Sequence, residues 1–161
     1  MHSFELFYQE AQGVVALQRQ ELQQKEESEQ AKGIYGICHG DYNQHNVVFL
    51  RQGMAVLNFE RASYDVQVAD LGNFMRKILE KHNWNMGLGM DMLKDYNKIR
   101  KLSNQEMRQL YIRLAYPEKF WKIANHYYNT SKAWVCGRNL EKLQKFIFQN
   151  EARENFLHLI K

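Results

Sequence analysis

Strand-like sequence is confined to one short stretch of this chain, and that limits the fold more than any other feature. Ile34-Tyr35-Gly36-Ile37-Cys38, Val47-Val48-Phe49-Leu50 and Met54-Ala55-Val56-Leu57 are the three runs with strand character. Arg51-Gln52-Gly53 separates the last two, and so short a glycine-containing link predicts a hairpin. Three strands of this length cannot form the main core, so helices must supply it.

The spacing of apolar residues agrees. Phe4, Phe7, Ala11, Val14 and Val15 predict a helix over 3–32 that turns polar after Leu22 and stops at Gly33. Val68, Leu71, Met75, Ile78 and Leu79 line one face of a helix near 67–82. Gly87 and Gly89 predict a loop, followed by a shorter helix carrying Met90, Leu93 and Tyr96. Ser103-Asn104-Gln105-Glu106 is a capping box: Ser103 caps the backbone and Glu106 reaches back. Pro117, the only proline, suits the first turn of the next helix, whose apolar side is Phe120, Trp121, Ala124, Tyr127 and Tyr128. A last helical region runs from about Arg138 to the end, with a break near Asn150.

A length of 161 residues suits one domain, 1–161. With 45% hydrophobic and 25% charged residues, disorder throughout is excluded. No apolar run approaches the roughly 18 residues that span a bilayer, so no membrane association is expected. The opening Met-His-Ser-Phe-Glu has no secretory pattern. Two cysteines, Cys38 and Cys136, are too few for a disulfide framework and point to a reducing compartment. Cys38 reads as a small buried strand residue rather than a reactive thiol. Charge is uneven: residues 1–32 hold three basic and six acidic side chains, and the rest of the chain carries the basic excess. A basic body attracts phosphate, nucleic acid or acidic protein. No DNA- or RNA-binding motif is present, so nucleic acid is not an expected partner.

The chemistry is concentrated in His39-Gly40-Asp41-Tyr42-Asn43-Gln44-His45-Asn46, a loop between two strand candidates. Asp41 and Asn46, five residues apart, can converge on one point. In phosphoryl transfer the Asp of such a pair takes the proton from the attacking hydroxyl, and the Asn offers an amide oxygen to Mg²⁺. Gly40 lets the backbone turn beside Asp41, and His39 supports the loop by hydrogen bonding. After the hairpin comes Leu57-Asn58-Phe59-Glu60. A kinase-like site expects a metal-holding carboxylate where Asn58 stands. Glu60, two positions on, would share its face on an extended strand. Two readings follow: Glu60 supplies the missing carboxylate, or the position is left neutral. Asp70, opening a helix in Val68-Ala69-Asp70-Leu71, is placed to accept backbone N–H groups from the loop or from its own helix.

This order of strand, His-Gly-Asp-x-x-x-x-Asn, hairpin, Asn58-Phe59-Glu60 and Asp70-Leu71 resembles the aminoglycoside phosphotransferase and choline kinase-like superfamily. Asp70-Leu71-Gly72-Asn73-Phe74-Met75-Arg76-Lys77-Ile78, Tyr116-Pro117-Glu118-Lys119-Phe120-Trp121 and Asn139-Leu140-Glu141-Lys142-Leu143 resemble its CotS-type spore coat members. The likeness covers nearly the whole chain. It implies an α+β, predominantly α fold: a kinase-like C-terminal lobe with a small hairpin. By that resemblance Asp41 falls on the catalytic base, Asn46 and Asn58 on the metal positions, and Asp70 on the structural aspartate. The family's nucleotide-binding N-terminal lobe, with its ATP-pairing lysine, is expected to be absent. The resemblance therefore implies a spore coat protein with a structural or assembly role, a pseudokinase that binds no cofactor by itself. The alternative is the C-terminal part of a phosphotransferase that uses ATP and Mg²⁺ on a sugar or aminoalcohol. Expected partners are other spore coat proteins or a second copy, met in the mother-cell cytoplasm and then in the spore coat.

Overall fold

The computed structural model describes residues 2–26, 34–129 and 137–161. The expected extension of the first helix to residue 32, its stop at Gly33, and Cys136 lie outside the described residues, as does the side chain of Tyr127.

Helix α1, His2–Glu26, buries Phe7, Ala11 and Val14, which recur at i, i+4 and i+7. Phe4 and Val15 sit at the exposed edge of that face. Strand β1, Tyr35–Cys38, follows. The hairpin forms as expected from β2, Val47–Leu50, and β3, Gly53–Val56, with Leu50 opposite Gly53 and Val47 opposite Val56. A 3-10 turn, Phe59–Arg61, then leads into β4, Ser63–Val66.

Strand β4 is not apparent in the sequence. It pairs antiparallel with β1, Tyr35 opposite Val66 and Cys38 opposite Ser63, so the strands make two separate two-stranded sheets. Only Val66 of β4 is buried, so the strand lacks the apolar alternation that marks such elements. A bidentate bond from Arg113 to Asp65, at 2.9 and 3.0 Å, ties β4 to the helical body.

The other described elements are helices: α2, Val68–Lys81; α3, Met86–Ile99; α4, Asn104–Ala115; α5, Glu118–Asn129; α6, Gly137–Phe148; and α7, Asn150–Ile160. The expected loop at Gly87 and Gly89 is instead the first turn of α3. Asn85 caps that turn by accepting from the Leu88 N–H at 2.8 Å. Gly89 is there for packing: a Cβ would lie 2.3 Å from the Phe156 ring. The capping box on α4 forms with both of its hydrogen bonds. Pro117 stands just before α5, its carbonyl accepting from Trp121. The break before α7 falls at Gln149.

The main core lies where α2 and α7 both pack on α4, with Met75, Leu79, Leu110, Leu114 and Phe156 fully buried. A second cluster joins α1, α5 and α6 through Phe7, Phe120, Ala124 and Phe146. Trp121 packs against it, whereas Tyr128, expected in the same face, is exposed. Arg153 of α7 is 1% exposed and links the two clusters. Its guanidinium pairs with Glu10 of α1 at 2.6 Å, donates to the Ala115 carbonyl, and lies over the Trp84 and Phe146 rings. A buried charge so completely partnered locks α1 to the C-terminal helices.

Candidate functional site

The loop of residues 39–46 leaves the end of β1 and enters β2, and three anchors hold it. The first is Asp70, in the first turn of α2. Its two carboxylate oxygens accept from the backbone N–H groups of His39, at 2.6 Å, and Gly40, at 3.0 Å. The helix N-terminus favours a negative charge there. Of the two sources of backbone donors open to Asp70, the loop or its own helix, these two bonds come from the loop.

The second anchor is His39, which is buried. Its Nδ1 accepts from the Asp41 N–H at 3.2 Å, so the ring proton sits on Nε2 and is donated to the Leu57 carbonyl at 2.8 Å. The Phe59 ring packs beside the imidazole, centroids 4.5 Å apart. His39 thereby joins the loop to the exit of the hairpin. The third anchor is Gly40, whose φ of 78° is left-handed; a Cβ there would lie 2.1 Å from the Arg61 carbonyl oxygen.

Asn43 stitches the loop from within. Its amide donates to the backbone carbonyl of Asp41 at 2.8 Å and to the Asp41 carboxylate at 3.1 Å, and its oxygen accepts from the His45 N–H at 2.9 Å. This fits the loop preference of Asn for short-range bonds to backbone. His45 itself is exposed and hydrogen-bonded to Gln44.

Asp41 projects towards α2, where Lys77 pairs with its Oδ1 at 3.1 Å. That hydrogen bond holds the Asp41 carboxyl below the usual aspartate range, with help from the charge of Arg61. Lys77 is a site residue that motif spacing does not reveal. Its sequence signal is positional: seven residues after Asp70 it returns to the same helix face.

The opposite end of the loop is neutral. Asn46 is buried and donates its amide to the Asp41 carbonyl at 2.9 Å. Its Oδ1 accepts from the Asn58 amide, also at 2.9 Å. The Leu57 N–H bonds to the Asn46 carbonyl, which extends the hairpin by one pair and delivers Asn58 to this position. Asn58 has a φ of 66°, a left-handed conformation that asparagine tolerates better than most residues. The structure thus pairs Asn46 with Asn58 and ties Asn46 to the backbone of Asp41, whose carboxylate turns instead to Lys77 and Asn43. Glu60 is on the 3-10 turn rather than on an extended strand, so the alternation that would set it beside Asn58 does not apply.

Asn46 and Asn58 would offer a Mg²⁺ ion amide oxygens but no charge. Hard divalent cations are held by carboxylates and other oxygens, and here the two expected ligands are uncharged amides. The Asn46 oxygen that would face a metal is already accepting a hydrogen bond. Among the described residues no three His, Cys, Asp or Glu side chains gather in a metal-holding group. The Cys38 thiol is buried, 3.4 Å from the Val66 carbonyl, and burial pushes it up from its ordinary range, as expected of a structural cysteine.

Both the sequence and the fold have known counterparts. Residues 12–160 match the family described as Spore coat putative kinase YutH. The chain belongs to that family. Spore coat protein S of Bacillus subtilis (strain 168) is 24% identical over 124 residues, which are 76% of this chain and 35% of that protein. An aminoglycoside phosphotransferase from Alicyclobacillus acidocaldarius has the same fold, with a TM-score of 0.80 and 24% identity over 96% of this chain and 46% of its own. Amicoumacin kinase hAmiN, solved with AMP-PNP, Ca²⁺ and Ami, follows with a TM-score of 0.54 and 14% identity, covering 92% of this chain and 48% of its own. The fold is therefore kinase-like and of aminoglycoside phosphotransferase type, as the resemblance implies. The chain spans about a third of the curated relative and just under half of these solved structures. Family membership assigns it to the spore coat. Among the described residues no helix is long and apolar enough to cross a membrane.

Proposed function

We propose that this chain is a kinase-like C-terminal lobe with a structural or assembly role in the spore coat, without phosphotransferase activity of its own. The observation that carries this reading is the hydrogen bond between Asn58 and Asn46. It fills the metal end of the loop with two neutral amides, and charge at that end supplies much of the rate in phosphoryl transfer. An assembly role is supported by the two sheets of the lobe. Ile37 and Tyr64 on one sheet and Phe49, Leu50 and Met54 on the other are all more than half exposed, and exposed apolar residues of this kind serve contact with another coat protein or a second copy. The chain would reach the coat from the mother-cell cytoplasm.

The test is phosphoryl transfer from ATP with Mg²⁺ to a panel of sugars and aminoalcohols. The expected result is no transfer above background. Transfer that Asp41→Asn abolishes overturns the reading.

One observation favours a second reading, in which the chain is the C-terminal part of an ATP- and Mg²⁺-dependent phosphotransferase acting on a small hydroxyl compound. The frame around Asp41 is intact, and its carboxylate is held ionised, as a proton acceptor must be. Asn58→Asp separates the two. Stronger binding of Mg²⁺-nucleotide would support the phosphotransferase, and unchanged binding the assembly role.

A further inference from the structure

Beside Asp41, and unused by the loop, α2, α5 and α6 enclose a cleft of about 410 Å³. That is within the size range of small-molecule sites, roughly 300–1,000 Å³. Its walls carry five cations: Arg76 and Lys77 on α2, Lys119 and Lys122 on α5, and Lys142 on α6. Two carboxylates, Glu80 and Glu118, face them. Glu118 takes both Arg76 and Lys122, and Glu80 lies 3.6 Å from Lys119. Lys77 is shared with Asp41 at the mouth. Lys142 is exposed and makes no ion pair among the described residues.

The charge does not cancel. Even with Asp41 counted, three carboxylates meet five cations and two positive charges remain. Low-dielectric walls concentrate that potential within a concave site. Glu118 registers it: although burial opposes ionisation, Lys122, Arg76 and Lys77 hold its carboxyl below the usual glutamate range. A polycationic ligand would meet like charge here. A phosphomonoester dianion would balance the excess and accept from several lysines at once. Ile123 offers apolar surface in the same cleft to the organic part.

We propose that the cleft between α2, α5 and α6 binds a small phosphorylated molecule, with Lys122 and Lys142 as its rim cations and Lys77 at the border with the loop. Binding requires no metal and no transfer step, so it stands apart from the assembly reading, and either can fail without the other.

The experiment is calorimetric titration of the chain at low ionic strength with glucose 6-phosphate, inorganic phosphate, glucose and tetraglutamate. The same series is run on the double variant Lys122→Gln, Lys142→Gln, whose fold is checked by circular dichroism and thermal melting. The expected result is that at least one phosphate probe binds, glucose does not, and the double variant binds that probe about tenfold or more weakly, the scale of one lost charge-assisted hydrogen bond. Equal affinity for both phosphate probes assigns recognition to the phosphate group, and tighter binding of glucose 6-phosphate adds the sugar; both support the proposal. It is overturned if no phosphate probe binds at about 10 mM, a concentration that would nearly saturate a site with a Kd of about 1 mM. It is also overturned if a folded double variant binds as tightly as the parent, or if only tetraglutamate binds.

Discussion

At its Asp70 end the loop is held by a carboxylate that takes two backbone N–H groups, at 2.6 and 3.0 Å; at its Asn58 end the same loop meets a neutral amide at 2.9 Å. Both ends are satisfied, yet they differ in what they could do for a reaction. Charge-assisted bonds to backbone are about twice as strong as neutral ones, so the Asp70 end fixes the shape of the loop. The Asn58 end contributes one neutral bond and no charge. Shape and chemistry are therefore separable here. Keeping the loop in place requires Asp70, His39 and Gly40, and none of these depends on a metal.

This contrast orders the effects of substitution. The largest is expected at Gly40. A methyl group there meets the Arg61 carbonyl at 2.1 Å on a backbone already at positive φ. Gly40→Ala should cost about 3 kcal/mol or more in urea unfolding. Asp70→Asn leaves one loop N–H without an acceptor and removes charge assistance from the other; a loss of about 2 kcal/mol is expected by the same measurement. A loss there no larger than at Asn58 would break the comparison.

Asn58→Ala removes the amide bond to Asn46 and places alanine in a left-handed conformation; about 1 kcal/mol is expected. Asn58→Gly tolerates the backbone and sharpens the point, since it should lose less than Asn58→Ala. The smallest effect belongs to the half-exposed Asp41–Lys77 pair. Lys77→Met should change stability at neutral pH by no more than about 0.5 kcal/mol. The sign of its pH dependence is fixed. Asp41 has a lowered folded value, so the pair contributes above the unfolded aspartate value near 4 and its contribution is lost as pH falls through the lower folded value. Wild type and Lys77→Met should therefore converge in stability in acid below about pH 4.

Much of this architecture is legible in the sequence because it rests on local rules. Helix α2 shows its apolar face at regular spacing, Ser103 and Glu106 announce α4, and the loop motif fixes where Asp41 and Asn46 sit. The misses have a common cause in tertiary context. Strand β4 exists because β1 needs a partner and Arg113 reaches Asp65, neither of which leaves a local pattern. Gly87 and Gly89 resemble turn residues until Asn85 caps the helix and Phe156 claims the space beside Gly89. The expected alignment of Glu60 with Asn58 assumed a strand, and the left-handed Asn58 followed by a 3-10 turn ends that strand. Lys77 and Asn43 act through contacts that the loop makes only when folded.

On the proposed reading the loop keeps its shape while its Asn58 end carries no charge for a cation. The direct measurement is Mn²⁺ titration of the ¹⁵N-labelled chain, watching the side-chain amides of Asn46 and Asn58 by NMR. The account predicts that both amides stay sharp in wild type at Mn²⁺ concentrations that broaden only exposed carboxylate neighbours. Selective broadening of Asn46 and Asn58 at the lowest Mn²⁺ would show a working cation site and contradict it.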